Sequence, residues 1–278
     1  MTVLTFTLII LAGSFMAGLL GSLTGLGGGF IIIPLLTLGF HVDLRYAIGA
    51  SLVAVIATSS GAAAAYVREG ITNIRLGMFL EIATTAGAVG GALLAAYTPT
   101  HVIAVIFGII LLLSAGLSLR KRQFHIERTS KSRLAEQLRL NSSYPSRNGA
   151  VDYKVRHVPG GFLMMILAGL LSGLLGVGSG ALKVLAMDNV MRIPFKVSTT
   201  TSNFMIGVTA AASAVIYFQR GYVDPGLAMP VLVGVLAGAL LGSRWLIQSE
   251  SAWIRVLFTV VLTILAVEMI YNGWAGKI

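Results

Sequence analysis

The sequence predicts an all-α polytopic membrane protein built from two homologous repeats. Each repeat is a glycine-broken re-entrant or kinked segment followed by three transmembrane helices. Three observations carry this reading. First, the chain is 56% apolar with 11% charged residues and a mean hydropathy of +0.88. A soluble domain carries about twice that charged fraction, and apolar stretches this long need lipid around them. Second, the apolar residues fall into eight blocks separated by short polar breaks. Third, the two halves align without a gap at a shift of 151 residues.

The first block, Leu4–Phe40, is over-length. As one helix it would run roughly 55 Å, against a ~30 Å hydrocarbon core. It must bend or double back, and Gly25-Leu26-Gly27-Gly28-Gly29 is where a helix breaks, since each glycine costs about 1 kcal/mol relative to alanine. Blocks Ala47–Val67, Leu76–Tyr97 and Val102–Leu119 are single spans by length. A basic stretch from Arg120 to Arg156 follows, holding ten of the 20 Lys and Arg residues. The fifth block, Gly160–Ala186, is again long and holds Gly176-Val177-Gly178-Ser179-Gly180. Ser198–Gln219, Gly226–Leu246 and Val256–Tyr271 complete the second set. The expected domains are residues 1–120, a loop of 121–158, and residues 159–278.

The match between halves is specific. Gly25, Gly27 and Gly29 align with Gly176, Gly178 and Gly180. Ser51 aligns with Ser202, Tyr66 with Tyr217, Gly70 with Gly221, and Gly87 and Gly91 with Gly238 and Gly242. Parallel repeats require the long segments to cross once; inverted repeats require them to turn back. With the basic loop inside, the inverted arrangement puts Arg68, Arg75, Arg192, Lys196, Arg244 and Arg255 on the loop's side. Only Arg45, Arg220 and Lys277 fall opposite. That bias favours inversion, with both termini outside and the chain in the cell (inner) membrane.

Composition excludes several functions. The net charge of +10 is concentrated in a loop between apolar blocks, which is the positive-inside signature and not a nucleic-acid surface. There is no cysteine, hence no thiolate metal site or Cys nucleophile. His41, His101, His125 and His157 show no metal-ligand spacing. No enzyme motif and no cofactor site is expected. The amino terminus lacks the basic region of a cleaved signal. Ser130–Leu140 in the loop reads either as an amphipathic helix with Leu134 and Leu138 toward lipid or as a solvated linker.

Broken helices at matched positions in two repeats point to a transporter binding site. Their freed backbone groups must face protein or a wet cavity. The candidate binding residues are therefore Gly25, Gly27, Gly28 and Gly29 with Gly176, Gly178, Ser179 and Gly180; close helix packing is the alternative reading. Lys183, three residues past the second run, is a charge inside an apolar segment and would attract an anion, unless it snorkels to the interface. Thr201, Ser202 and Asn203, with Ser51 at the matched place, offer hydrogen bonds to an oxyanion. Glu81 and Asp188 are candidate coupling groups, although Glu81 is close enough to Arg75 to pair at the interface. Tyr66 and Tyr217 read as aromatic belt.

The pattern Gly18-Leu19-Leu20-Gly21-Ser22-Leu23-Thr24-Gly25-Leu26-Gly27-Gly28-Gly29 with Ile33-Pro34 returns as Gly169-Leu170-Leu171-Ser172-Gly173-Leu174-Leu175-Gly176-Val177-Gly178-Ser179-Gly180. It resembles the sulfite exporter TauE/SafE family over nearly the whole chain. The resemblance implies an inner-membrane secondary transporter exporting sulfite or an organosulfonate such as sulfoacetate. The expected partners are a small anionic substrate and the lipid bilayer, with a homodimer left open. The second copy departs from the first in Ser179, Lys183 and Leu185, where Gly28, Ile32 and Pro34 stand. The two half-sites are therefore not equivalent.

Overall fold

The computed structural model describes residues 3–24, 28–119, 132–146, 149–248 and 252–278. The over-length first block is resolved by reversal. Helix α1 (Val3–Thr24) has 22 residues, about 33 Å at 1.5 Å per residue, and ends before the glycine run. Helix α2 (Gly29–Pro34), continued by a π-helical turn over Leu35–Gly39, runs back along α1. Leu35 packs on Gly13, and the rings of Phe40 and Phe6 meet edge-on at 5.1 Å.

The fifth block does the same. Helix α7 (Val158–Leu175) is followed by α8 (Gly180–Leu185) and a π-helical turn over Ala186–Val190. Met191 returns to the start of α7, where its carbonyl accepts from the Arg156 N–H at 3.0 Å and its side chain rests on Gly161. A proline removes a helical donor and clashes with the turn before it. Yet the second π turn follows Leu185 as the first follows Pro34, so proline is not required for it.

Helices α3 (Leu44–Arg68), α4 (Ile74–Ala95) and α5 (Thr100–Leu119) complete the first half. Helices α9 (Phe195–Gln219), α10 (Pro225–Gln248) and α11 (Ala252–Trp274) complete the second. Among the described residues, six helices are long and apolar enough to cross a membrane: α1, α3, α4, α7, α9 and α10.

The halves interlock. Helix α1 packs on α10, α4 on α7, α5 on α11 and α3 on α9, so every major interface joins one half to the other. Without a hydrophobic drive between helices in lipid, close backbone approach supplies the attraction. Glycines make it possible. A Cβ on Gly91 of α4 would sit 1.9 Å from the Leu170 carbonyl oxygen of α7, and one on Gly173 2.0 Å from that of Ala88. The same device recurs at Gly238 of α10, whose Cβ would meet the Phe15 carbonyl oxygen of α1 at 2.0 Å.

Loops collect at two opposite ends. At one, Arg45 reaches the Tyr222 hydroxyl and the Thr98 carbonyl, both at 3.5 Å. At the other, Asn73 caps α4 by accepting from the Leu76 N–H, and its amide donates to the Leu140 carbonyl at 2.9 Å and the Tyr153 hydroxyl at 2.8 Å. The first hairpin opens toward the Arg45 end and the second toward the Asn73 end.

The described part of the central loop, residues 132–146 and 149–157, is folded and docked. It holds a short helix α6 (Arg133–Gln137), capped by Ser132, and an antiparallel hairpin of β1 (Ser142–Ser146) and β2 (Gly149–Tyr153). Leu134 and Leu138 point outward, while Ala135, Leu140, Tyr153 and Val155 bury against α4 and the second hairpin. Burial raises the Tyr153 phenol above its usual value, and the Asn73 hydrogen bond opposes that rise. Tyr66 and Tyr217 are not belt residues. Both are buried, and the Tyr217 hydroxyl donates to the Leu174 carbonyl at 3.3 Å.

Candidate binding site

The two hairpin tips meet between α3 and α9. A Cβ on Gly29 would lie 2.6 Å from Ser51 Oγ and 3.3 Å from Val177 Cα, so only glycine lets the first tip close on the second. In the second break, Gly176 and Gly178 have φ of +68° and +71°, and Ser179 follows at +46°. Glycine enters that left-handed region freely, whereas serine does so at a cost of roughly 1–2 kcal/mol. Gly25 and Gly27 lie outside the described residues.

Hydroxyls of the flanking helices bind the backbone at the second break. Ser51 of α3 donates to the Gly176 carbonyl at 2.9 Å, and Ser202 of α9 to the Gly180 carbonyl at 3.2 Å. Ser51 thus touches both breaks, and Ser202 touches the second. Asn203 is buried, and its carbonyl accepts from Ser59 of α3. Its side-chain amide and the Ser179 hydroxyl are buried without a hydrogen-bond partner. Thr201 is placed differently. It accepts from the Asn73 N–H at 3.1 Å and so belongs to the loop junction.

Lys183 is on α8, the returning arm of the second hairpin, and is 0% exposed. It does not snorkel. It donates to the Thr209 hydroxyl of α9, which donates to Glu81 Oε1 of α4 at 2.6 Å. Lys183 Nζ lies 3.9 Å from Glu81 Oε2, and Thr85 donates to Oε1 at 3.2 Å. Glu81 is 6% exposed, and its Oε2 has no hydrogen-bond partner. Arg75, its sequence neighbour, instead donates to the Arg139 carbonyl at 3.3 Å. Asp188 sits half-buried in the π turn, outside this polar chain.

Thr209 and Thr85 are the residues that sequence reasoning missed. A signal existed for Thr209: it aligns with Thr58 at the 151-residue shift, and both hydroxyls sit in buried positions of matched helices. The arms α2 and α8 have six residues each. Each continues through a π-helical turn, and Lys183 adds a positive side-chain charge to the second.

Interlocked spanning helices and two broken hairpins define a polytopic α-helical membrane protein. The chain belongs to the sulfite exporter TauE/SafE family, whose model matches residues 10–269. Among curated proteins it is similar to the probable membrane transporter protein YunE of Bacillus subtilis, at 27% identity over 97% of this chain and 99% of that one. It is also similar to the probable membrane transporter protein YdhB of the same organism, at 28% identity over 86% of this chain and 89% of that one. A probable membrane transporter protein of Xylella fastidiosa is 26% identical over 98% of both chains. No solved structure matches the chain.

Proposed function

We propose that the chain is a secondary transporter exporting a small sulfur-containing oxyanion, sulfite or an organosulfonate such as sulfoacetate. The two halves act as inverted repeats, and access alternates as one rocks against the other. The observation that carries this reading is Lys183, a fully buried cation on a re-entrant arm beside the meeting tips. Such a charge is expensive in a membrane unless it serves a pathway. The family's description supplies the sulfur chemistry. Entry of the hairpins from opposite ends supports inversion, and the basic loop supports a cytoplasmic position for the Asn73 end.

Proteoliposomes loaded with sulfite are expected to lose it faster than protein-free vesicles and to show counterflow against external sulfite. Absence of protein-dependent flux of sulfite and of sulfoacetate would overturn the proposal. Rapid conductance without counterflow would replace the carrier with an anion channel.

A further inference from the structure

We propose that Glu81 is a stand-in for the substrate: its carboxylate occupies Lys183 when the site is empty and yields it by taking up a proton when an anion arrives. Anion and proton then cross together. The inference rests on reading the chain as an anion transporter; it adds the coupling ion and the stoichiometry, and it narrows the cargo to monoanions, bisulfite and singly charged sulfonates rather than the dianion sulfoacetate.

Three features of the site lead there. The pair is loose: Lys183 and Glu81 are 3.9 Å apart, with Thr209 between them as acceptor from one and donor to the other. A substrate oxygen can replace a Glu81 oxygen against both groups. Next, the pair joins the two halves, since Lys183 belongs to the second hairpin and Glu81 to α4 of the first half. Finally, the fold does not need it. At the 151-residue shift Lys183 corresponds to Ile32 and Glu81 to Leu232, while Thr209 corresponds to Thr58. One copy of the arrangement holds both charges and the other holds neither.

Charge balance then selects the states that move. Lys183 with ionised Glu81 is neutral. Lys183 with a monoanion and protonated Glu81 is also neutral. An anion beside ionised Glu81, or Lys183 facing only protonated Glu81, leaves one charge uncompensated in a low-dielectric interior, where it is heavily penalised. Only the empty and the fully loaded forms reorient, so one proton accompanies each monoanion. The proton passes from water on the side to which the site is open to a Glu81 oxygen, and leaves on the other side with the anion.

No other titratable group is placed to take this role among the described residues. Helix α7 carries none. On α9, Lys196 and Tyr217 lie 13 and eight residues from Thr209, about 20 and 12 Å along the axis. Arg75 is exposed at the start of α4, and Asp188 is half-buried in the π turn beyond α8. His101 is exposed near the start of α5.

The test uses proteoliposomes enclosing a pH dye and loaded with sulfite, with sulfoacetate or with methanesulfonate, whose charge does not change with pH. Efflux is expected to alkalinise the interior by one proton per methanesulfonate and to be unchanged by a clamped membrane potential. Glu81→Gln is expected to keep anion exchange, to lose net efflux at least tenfold because the empty carrier is now charged, and to lose the pH dependence of exchange. The double variant Lys183→Ile with Glu81→Leu copies the matched residues; it is expected to fold as well as the wild type and to carry nothing. Efflux that follows the membrane potential without proton movement, or transport by the double variant, overturns the inference while leaving the transporter reading intact. If sulfite, methanesulfonate and sulfoacetate all fail to move in the wild type, the transporter reading falls, and this inference with it; movement of sulfoacetate alone overturns only the inference.

Discussion

The Ser51 hydroxyl on α3 donates to the Gly176 carbonyl at 2.9 Å, so a side chain of the first half satisfies the backbone break of the second. A carbonyl freed inside a membrane protein has no water to fall back on. Ser51→Ala is expected to destabilise the protein by about 1–3 kcal/mol, the cost of a buried group left unpaired. Thermal unfolding in detergent measures this directly. A Ser51→Ala protein with the wild-type midpoint would mean that the tip does not depend on this bond.

The hairpin itself was legible in the sequence because it follows from length. A 37-residue apolar block cannot cross once, and spaced glycines mark where it fails as a helix. The choice between kink and reversal came only from the bias of Lys and Arg, and the Phe6–Phe40 contact resolves it as reversal. The partner of Glu81 was not legible. Spacing along the chain offers Arg75 for Glu81, whereas Lys183, the residue it meets, is 102 positions away and comes near only once α8 lies against α9 and α4. The loop hairpin was hidden for a related reason. Ser142–Tyr153 reads as a polar linker until Asn73 gives Leu140 and Tyr153 something to bind.

Adjacent glycines on α4 separate packing from propensity. A Cβ on Gly90 meets nothing within 4 Å, whereas one on Gly91 would fall inside the Leu170 carbonyl of α7. Gly90→Ala is expected to be neutral or to stabilise by up to about 1 kcal/mol, as alanine is the better helix former. Gly91→Ala must force α4 and α7 apart, with a loss of several kcal/mol or failure to fold, as in overpacked cores. Size-exclusion profiles and unfolding midpoints of the two variants compare them. Equal behaviour would contradict the close α4–α7 approach.

The docked loop should respond to high pH. Tyr153 keeps its proton more tightly when buried, and its ordinary value is 10.0. A group whose value is raised on docking contributes fully below its free value, and the contribution is lost as pH rises through the docked one. Docking is therefore expected to be unaffected at neutral pH and to weaken progressively above about pH 10. Limited proteolysis between β1 and β2 across that range is the readout. Tyr153→Phe removes the proton and should flatten the dependence while weakening docking at all pH values; a wild-type profile flat to high pH would show that the phenol is not what releases the loop.

The absence of cysteine makes orientation testable with single substitutions. Tyr97 is 85% exposed beside the Arg45 end, and Ser143 is exposed in β1 at the Asn73 end. If the basic loop is cytoplasmic, Tyr97→Cys reacts with a membrane-impermeant maleimide on intact cells. Ser143→Cys then reacts only after permeabilisation. The reverse pattern would place the loop outside and reverse the direction argued from Lys and Arg counts. Labelling of both from one side would contradict the placement of the Arg45 and Asn73 ends on opposite faces of the membrane.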